Sequence, residues 1–158
     1  MNAVGMGYDV HRFVAGRPLV LGGVTIEHPM GLDGHSDADV LCHAIADALL
    51  GAAGESDIGH HFPNTDPSIE GISSLEILRK VRALLVTKYA DIQNVDATLI
   101  AEAPKIGPHV AKMKEHIAAA LEIPENCVGI KATTNELMGF VGRGEGIAAM
   151  AVASVDRK

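Results

Sequence analysis

The hydrophobic period of this chain switches repeatedly between the two-residue repeat of β-strands and the 3.6-residue repeat of α-helices. Strands are predicted over residues 3–13, 19–21, 24–26, 92–101, 128–133 and 146–155, and helices over residues 36–52, 73–89 and 108–121. This order predicts a mixed α/β (α+β) fold, with helices on one face of a mostly antiparallel or mixed sheet. Because 158 residues suit one hydrophobic core, we expect a single domain over residues 1–158.

Turn and capping residues set the predicted boundaries. A Gly-Gly turn between the second and third strands indicates a hairpin. Ser36 followed by Asp39, and Ser73 followed by Glu76, resemble capping boxes at the starts of the first two helices. Pro108 suits the first turn of the third helix, where its missing N–H costs little.

The charged residues are distributed unevenly. Between Arg17 and Arg79 there is no Lys or Arg, although this stretch holds ten of the twenty acidic residues and five of the eight histidines. Acidic and imidazole groups without basic partners have two interpretations. They form either a solvated acidic surface or a site that receives its positive charge from a metal ion.

Composition argues against several functional classes. Lys and Arg number 13 against 20 Asp and Glu, a formal net charge of −7, and aromatic residues make up 3% of the chain. This balance disfavours nucleic acid or an anionic membrane as a partner. No apolar run approaches the roughly 20 residues of a membrane span, and two cysteines make no disulfide framework. The first residues lack a basic, apolar leader, so we expect a soluble cytoplasmic protein.

A metal site is predicted from residues on two elements. Asp9 and His11 are two positions apart on a strand, so their side chains point to one face. His43 lies four residues after Asp39 on the first helix, and Asp47, one turn further, could lie on the same face as a partner. An Asp/His/His set supplies three zinc ligands and leaves the fourth position open, as in catalytic zinc sites. The alternative is an exposed Asp–His pair that arises by chance on a strand.

Two further segments carry groups suited to phosphate. His35 and Ser36 lie at the start of the first predicted helix, where free backbone N–H groups favour an anion, although Ser36 could simply cap the helix. Residues 131–146 combine hydroxyls, glycines and Arg143, and Glu136 offers a hard oxygen ligand for Mg²⁺. The alternative for this segment is a flexible glycine turn between two strands. It does not match a P-loop, which argues against an ATPase.

Residues 51–67 are rich in Gly, Pro, Asn and Asp and are predicted to form a long loop. Loops of this length in compact domains are usually functional or mobile. A polar segment such as residues 57–66 could close over a sugar or polyol through hydrogen bonds. His60 and His61 are adjacent, so on an extended segment they would point in opposite directions, and neither is assigned to metal. Cys42, on an apolar helix, is expected in the core.

Short motifs in register along nearly the whole chain resemble one family. They are Gly7-Tyr8-Asp9-Val10-His11, Leu21-Gly22-Gly23-Val24, Gly34-His35-Ser36-Asp37-Ala38-Asp39, Asp57-Ile58-Gly59 with Phe62-Pro63, Ala103-Pro104-Lys105, and Lys131-Ala132-Thr133-Thr134 through Gly139-Phe140-Val141-Gly142-Arg143-Gly144-Glu145-Gly146. On these motifs the chain resembles the 2-C-methyl-D-erythritol 2,4-cyclodiphosphate synthases of the non-mevalonate isoprenoid pathway. Asn64 departs from the common Phe-Pro-Asp-Thr-Asp form, which puts a carboxylate contact at that position in question.

The resemblance implies two metal ions. Asp9, His11 and His43 resemble the ligands of a zinc ion, one per subunit. Glu136 resembles a ligand of a second divalent cation, Mg²⁺ or Mn²⁺.

The resemblance also implies the catalytic and substrate-binding residues. His35 and Thr134 resemble the catalytic pair that holds the phosphates and stabilises the transition state. The implied substrate-binding residues are Asp9, Val10, His11, His35, Ser36, Asp57, Ile58, Gly59, Phe62, Pro63, Asn64, Thr65, Asp66, Ala101, Glu102, Ala103, Pro104, Lys105, Ile106, Gly107, Thr133, Thr134, Asn135, Glu136, Phe140 and Arg143.

The implied assembly is a homotrimer with active sites between subunits. Residues 57–59 and 62–66 resemble the loop that holds the erythritol part of the substrate, and residues 101–107, with Lys105, resemble a cytidine pocket supplied by a neighbouring subunit. Phe140 and Arg143 lie where the family lines a central cavity, for which an isoprenoid diphosphate is a candidate occupant.

The implied reaction converts 4-diphosphocytidyl-2-C-methyl-D-erythritol 2-phosphate into 2-C-methyl-D-erythritol 2,4-cyclodiphosphate and CMP, a phosphorus–oxygen lyase reaction. Because both reacting groups are anions, two metal ions would neutralise and orient them. Two alternatives remain: a zinc phosphoesterase that uses a metal-bound water, and a trimeric binding protein for nucleotides or isoprenoid diphosphates in which zinc is purely structural.

Overall fold

The computed structural model describes residues 1–158 and contains seven strands and five helices. The strands are β1 Asn2–Val14, β2 Leu19–Leu21, β3 Val24–Ile26, β4 Gly31–Leu32, β5 Ala90–Ile100, β6 Val128–Thr133 and β7 Gly146–Arg157. The helices are α1 Val40–Ala52, α2 Ile58–His61, α3 Ser74–Thr87, α4 Val110–Leu121 and α5 Gly139–Gly142. None of them is long and apolar enough to cross a membrane.

The strands form a five-stranded sheet and a separate hairpin. The order across the large sheet is β4-β1-β7-β5-β6. Only the β5–β6 pair is parallel, and the other neighbours are antiparallel, which confirms the mixed sheet. Strands β2 and β3 pair from Leu19 opposite Ile26 to Leu21 opposite Val24, which confirms the hairpin around the Gly-Gly turn.

Helix α1 lies very close to strand β1 because β1 presents glycines to it. A Cβ atom added to Gly7 would lie 1.9 Å from the carbonyl oxygen of Ala44, and one added to Gly5 would lie 2.1 Å from that of Ala48. Any side chain at these positions would force the helix away from the strand. Since side chains alternate along a strand, the next two residues on this face of β1 are Asp9 and His11.

The opposite face of the sheet carries exposed apolar side chains. Its exposed large side chains on β1 and β7 are Val4, Met6, Tyr8, Val10, Met150 and Val152. Met6 and Val152 are paired in register and are 68% and 47% exposed. The helices therefore cover one face of the sheet, as predicted, and the other face is an uncovered apolar surface.

The start of α1 differs from the prediction. Asp39, and not Ser36, is the N-cap residue, because the Asp39 carboxylate accepts a hydrogen bond from the backbone N–H of Cys42. Ala38, with φ of 58°, breaks the helical path before Asp39. The Ser36 hydroxyl accepts instead from the N–H of Ala38 within the loop.

The loop predicted over residues 51–67 is partly helical. Helix α2 occupies residues 58–61, and the Asp57 side chain caps it by accepting from the N–H of His60. His60 and His61 therefore lie on a helical turn and not on an extended segment. The glycine segment after β6 likewise contains the short helix α5, where a simple turn was the alternative.

Two other helix boundaries shift by a few residues. Ser73 is the N-cap of α3, as predicted, but its side chain makes no capping hydrogen bond, and the helix ends at Thr87 and not near residue 89. Pro108 lies in a 3₁₀ turn, Gly107–His109, that precedes α4. Cys42 is fully buried in the core, which confirms its prediction.

Candidate metal centre

Three ligand atoms from β1 and α1 converge on one point. The Asp9 Oδ2 atom lies 2.9 Å from His11 Nε2 and 3.1 Å from His43 Nδ1. The two histidine nitrogens lie 3.1 Å from each other. The close approach of α1 to β1 at the glycine positions brings His43 against the two strand residues. The predicted convergence of these three side chains is confirmed.

The electrostatics of this group favour a positive charge. Burial by itself raises the pKa of Asp9, but its contacts with the His11 and His43 imidazoles outweigh this effect and hold the pKa well below its usual range. Burial lowers the pKa of His11, whereas its hydrogen bond to the Asp9 carboxylate and the charge of that carboxylate raise it, and the net shift is upward. The Asp9 carboxylate therefore stays ionised and attracts a cation to the histidine nitrogens.

The remaining ring nitrogens are held by other groups. His11 Nδ1 donates to the carbonyl oxygen of Asp33 over 2.7 Å, because a carbonyl can only accept. His43 Nε2 lies 2.8 Å from Ser74 Oγ and 3.1 Å from Ser36 Oγ. His11 Nε2 and His43 Nδ1 are thus free to face the centre of the group.

This geometry suits a divalent metal ion. In a tetrahedron with bonds of about 2.0–2.1 Å, two ligand atoms lie about 3.3 Å apart. The three separations of 2.9, 3.1 and 3.1 Å come close to that spacing. Two imidazole nitrogens and one carboxylate oxygen occupy one triangular face, so a fourth position stays open.

The open side of this group faces a cavity of about 340 Å³. Its lining residues are Asp9, His11, Gly34, His35, Ser36, His43, Asp47, Asp57, Ile58, Gly59, Phe62, Asn64, Ile69 and Ile77. The structure therefore brings ten of the predicted metal, catalytic and substrate-binding residues around one cavity: Asp9, His11, His35, Ser36, His43, Asp57, Ile58, Gly59, Phe62 and Asn64. Pro63, Thr65 and Asp66 do not line it, although the Asp66 carbonyl accepts from His35 Nε2 over 2.9 Å.

A second cluster forms at the far edge of the sheet. The N–H of Ala101 donates to the carbonyl of Thr133 over 2.9 Å, and the N–H of Asn135 donates to Glu102 Oε2 over 2.6 Å. These bonds join residues 101–107 to residues 133–136. The side chains of Thr134, Glu136 and Lys105 in the same segments are exposed.

The metal group and this second cluster lie at the same end of the sheet but on different strands. Val10, Ala148, Ile100 and Thr133 form one row across β1, β7, β5 and β6. Three strand spacings separate the ends of this row, which amounts to about 14 Å. The cavity beside Asp9 contains no residue of 101–107 or 133–136.

Phe140 and Arg143 differ in their surroundings. Phe140 lines an open hollow of about 470 Å³ on the apolar face, together with Tyr8 and Val10. Arg143 does not line this hollow, but its Nε donates over 2.8 Å to Glu145, which does.

The profile of the YgbB family matches residues 2–156. The chain belongs to the YgbB family. It is 57% identical to the 2-C-methyl-D-erythritol 2,4-cyclodiphosphate synthase of Methylobacillus flagellatus over 157 residues, which cover 99% of this chain and 98% of that protein. The family resemblance seen in the sequence motifs is thereby confirmed.

Solved structures agree with this membership of the YgbB family. The bifunctional IspDF of Campylobacter jejuni superimposes with a TM-score of 0.95 at 39% identity, covering all of this chain and 43% of that longer one. The CDP complex of IspF from Plasmodium falciparum superimposes with a TM-score of 0.86 at 34% identity, covering 99% of this chain and 97% of that one.

Two side chains that contact the site in this YgbB family member were not found by sequence reasoning. Ser74 contacts His43 but follows the predicted N-cap, and no spacing rule links these two residues. Arg17 donates to the carbonyls of Gly34 and Ser36, over 2.6 Å each, from a turn with no recognisable motif.

Asp47 lines the cavity, as its position on the face of His43 suggested, but it does not bond to a histidine. Its Oδ1 atom accepts from the N–H of Ile58 over 2.7 Å. Burial raises the pKa of the Asp47 carboxyl. It therefore joins α1 to the start of α2 and does not support the metal ligands.

Proposed function

We propose that this chain is a cyclodiphosphate synthase of isoprenoid precursor biosynthesis. It converts 4-diphosphocytidyl-2-C-methyl-D-erythritol 2-phosphate into 2-C-methyl-D-erythritol 2,4-cyclodiphosphate and releases CMP. The observation that carries this proposal is the Asp9/His11/His43 group, open on one side to a polar cavity, in a chain 57% identical to a protein of that name.

In this proposal Asp9, His11 and His43 hold one zinc ion per subunit, and Glu136 holds Mg²⁺ or Mn²⁺. When bound, such ions supply Lewis acidity that neutralises the charge of the diphosphate. Two nitrogens and one oxygen suit zinc, whereas a lone exposed carboxylate suits a hard cation that keeps several waters.

The reaction is an intramolecular phosphoryl transfer. An oxygen of the 2-phosphate forms a bond to the β-phosphorus, and the bond from that phosphorus to the bridging oxygen of the diphosphate breaks. The electron pair of this bond leaves with CMP. No protein nucleophile is needed, because folding the substrate brings its own phosphate into range, and effective molarities of order 10⁵ M or more are reached in this way.

His35 and Thr134 bind and orient the phosphates. The hydrogen bond from His35 Nε2 to the Asp66 carbonyl, over 2.9 Å, orients the imidazole at the cavity wall. Thr134 lies on the exposed edge of the second cluster, where its hydroxyl already accepts from the N–H of Glu136. The two residues thus approach the substrate from opposite sides.

The proposed substrate spans both clusters. Residues 57–59 and 62–66 hold the erythritol part beside the metal group, with Asn64 as a neutral contact. Residues 101–107, with Lys105, bind the cytidine part, and residues 133–136 bind the diphosphate between them. A CDP complex of the related Plasmodium falciparum protein supports a cytidine nucleotide as the ligand class.

We propose a homotrimer in which each active site is completed by a neighbouring subunit. Two observations support it: strands β1 and β6, which lead to the metal group and to the second cluster, lie about 14 Å apart within one chain, and the apolar face of the sheet is uncovered. Packing that face against other copies would bury it and bring the second cluster of one subunit toward the metal group of another. The hollow beside Phe140 would then face the centre of the trimer, where an isoprenoid diphosphate is the proposed occupant, with Arg143 nearby.

The decisive experiment is product analysis with the purified protein, the proposed substrate, Zn²⁺ and Mg²⁺. We expect CMP and the cyclic diphosphate in equal amounts. Inorganic phosphate as the product would identify a zinc phosphoesterase instead. The change His43→Ala should abolish turnover in a folded protein, whereas His109→Ala, outside the cavity, should leave turnover intact. Loss of folding in the His43 variant would favour a binding protein with structural zinc.

A further inference from the structure

The two histidines of the metal group are oriented in different ways. His11 is on the strand, and a backbone carbonyl accepts from its outer nitrogen. His43 is on the helix, is only 9% exposed, and has only side-chain hydroxyls around its outer nitrogen. The orientation of His43 therefore depends on residues that can be mutated without changing the backbone.

A chain of hydrogen bonds gives the Ser74 hydroxyl a defined direction. Ser74 is fully buried. A carboxylate accepts but does not donate, and the Asp37 carboxylate accepts from both the backbone N–H of Ser74, over 3.0 Å, and the Ser74 hydroxyl. The hydroxyl proton is thus committed to Asp37. The Ser74 oxygen is left as an acceptor, and the atom that it faces, over 2.8 Å, is His43 Nε2.

We propose that Ser74 and Asp37 are positioning residues for the metal group, an inference that rests on the proposed function. Accepting from Nε2–H, Ser74 holds the His43 proton on Nε2 and leaves Nδ1 with a free lone pair. That lone pair points at the position shared by Asp9 and His11. Asp37 prevents the reverse tautomer, because it keeps the Ser74 hydroxyl from donating to His43.

Ser36 assists but does not replace this arrangement. Its oxygen lies 3.1 Å from His43 Nε2 and also accepts from the N–H of Ala38. It is the longer contact, and no carboxylate commits its proton. In the absence of the Ser74 hydroxyl, the Ser36 oxygen would be the remaining partner of the ring and would hold its orientation less firmly.

The test compares Ser74→Ala with Ser73→Ala, a matched change at the neighbouring exposed residue, which makes no side-chain capping bond. Zinc Kd is measured by chelator competition, and Co²⁺ bound in place of zinc is examined by its visible spectrum. Removing a residue that orients a metal ligand typically weakens metal binding by about 10–100-fold. We expect a loss in this range and an altered Co²⁺ spectrum for S74A, and no change for S73A.

A second variant, Asp37→Asn, keeps the Ser74 side chain and nearly the same volume. An amide N–H at this position would donate to the Ser74 oxygen and turn its hydroxyl toward His43 Nε2. Zinc binding should weaken in D37N also. Two-bond ¹H–¹⁵N spectra of the metal-free protein should show His43 protonated on Nε2 in the wild type and partly on Nδ1 in D37N.

The outcomes separate this inference from the metal site itself. A wild-type protein that binds no zinc at Asp9, His11 and His43 would overturn the proposed metal site. Zinc binding in the wild type with equal Kd and Co²⁺ spectrum in S74A and D37N would overturn only the positioning role. Lower folding stability of the metal-free variants with an unchanged zinc Kd would also overturn it, since that result indicates a structural role.

Discussion

The Nε2 atom of His11 and the Nδ1 atom of His43 face each other across 3.1 Å. The other nitrogen of each ring is engaged in hydrogen bonds outside the group. Two imidazole lone pairs at this distance repel unless a cation lies between them or one nitrogen carries a proton. In the metal-free protein, burial lowers the pKa of His11, but the hydrogen bond and charge of Asp9 outweigh it, and the net upward shift favours a proton at this position as pH falls.

A proton and a zinc ion compete for the position between the two histidines. This competition predicts that the stabilisation by zinc depends on pH. Because the pKa of His11 is higher in the folded than in the unfolded chain, protonated His11 stabilises the metal-free protein at low pH, and this contribution is lost as pH rises through the folded pKa. Zinc needs the neutral imidazole, so its effect has the opposite sign. We expect saturating Zn²⁺ to raise Tm strongly at about pH 8 and little at about pH 5.5.

Differential scanning fluorimetry with and without Zn²⁺ across this pH range provides the measurement. His11→Ala is the control, because it removes the competing proton together with the ligand and should abolish the zinc-induced shift at every pH. An equal zinc-induced rise in Tm at both ends of the pH range in the wild type would contradict the prediction that zinc and a proton compete for one position.

Arg17 is predicted to orient His35 and to affect the reaction rate more than metal binding. Its guanidinium donates over 2.6 Å to each of the carbonyls of Gly34 and Ser36, which flank His35 on both sides. Without these bonds the loop would shift, and small displacements of orienting groups can reduce rates by about 10–100-fold. We expect Arg17→Ala to lower kcat in this range with a smaller change in zinc Kd, because the Ser36 hydroxyl near His43 lies in the same loop.

Steady-state kinetics at saturating zinc test the effect of Arg17, with Arg79→Ala as the matched control. Arg79 is exposed, and its ion pair is with Glu76 on the surface of α3. An exposed pair of this kind has little effect on stability or activity. A lower zinc affinity and an unchanged kcat in R17A would place Arg17 with the metal group and contradict the prediction.

The strand half of the site could be predicted from the sequence because the rule involved is local. Residues two apart on a strand share a face, so Asp9 and His11 had to converge wherever the strand lay. The order of strands and helices was predictable for the same reason. His43 followed from its helical position together with the family motifs, since the proximity of α1 to β1 depends on Gly5 and Gly7.

The supporting contacts could not be predicted because they join residues distant in sequence. Ser74 meets Asp37 and His43 only when the start of α3 packs beside the loop before α1. The helix start was misplaced for a related reason: Asp39 has tertiary as well as local partners. Its carboxylate accepts from the N–H groups of Gly22 and Gly23, in the turn of the β2–β3 hairpin.

The Asp39 carboxylate accepts from three backbone N–H groups, so we predict a large loss of stability on Asp39→Ala. The change removes the cap of α1 and leaves two N–H groups of the Gly22–Gly23 turn without their acceptor. Together these effects should lower the free energy of unfolding by about 2–4 kcal/mol. Urea unfolding of the metal-free protein measures it. Ser73→Ala, at an N-cap with no side-chain bond, should cost less than about 0.5 kcal/mol, and a similar cost for both would contradict this account.

The uncovered sheet face predicts a specific defect in assembly. Met6 on β1 is 68% exposed and pairs with Val152 on β7, so a charge placed there would lie inside the proposed trimer interface. Light scattering of the wild type should give about 50 kDa, three times the mass of one chain. Met6→Asp should dissociate the trimer and abolish turnover, because the second cluster would no longer reach the metal group of a neighbour. Zinc binding should persist in M6D, since one chain supplies all three ligands.

Val86→Asp is the matched control for this prediction, because Val86 is 54% exposed on α3, which packs on the covered face. It should leave both mass and turnover unchanged. M6D keeps both its metal group and its Glu136, whereas a Glu136 variant lacks the ligand of the second cation. Mixing the two should not restore activity, because a dissociated M6D chain cannot combine its residues with those of another subunit in a shared site. Full turnover by a monomeric wild-type or M6D chain would contradict a site shared between subunits. The two clusters would then have to meet across about 14 Å of their own sheet.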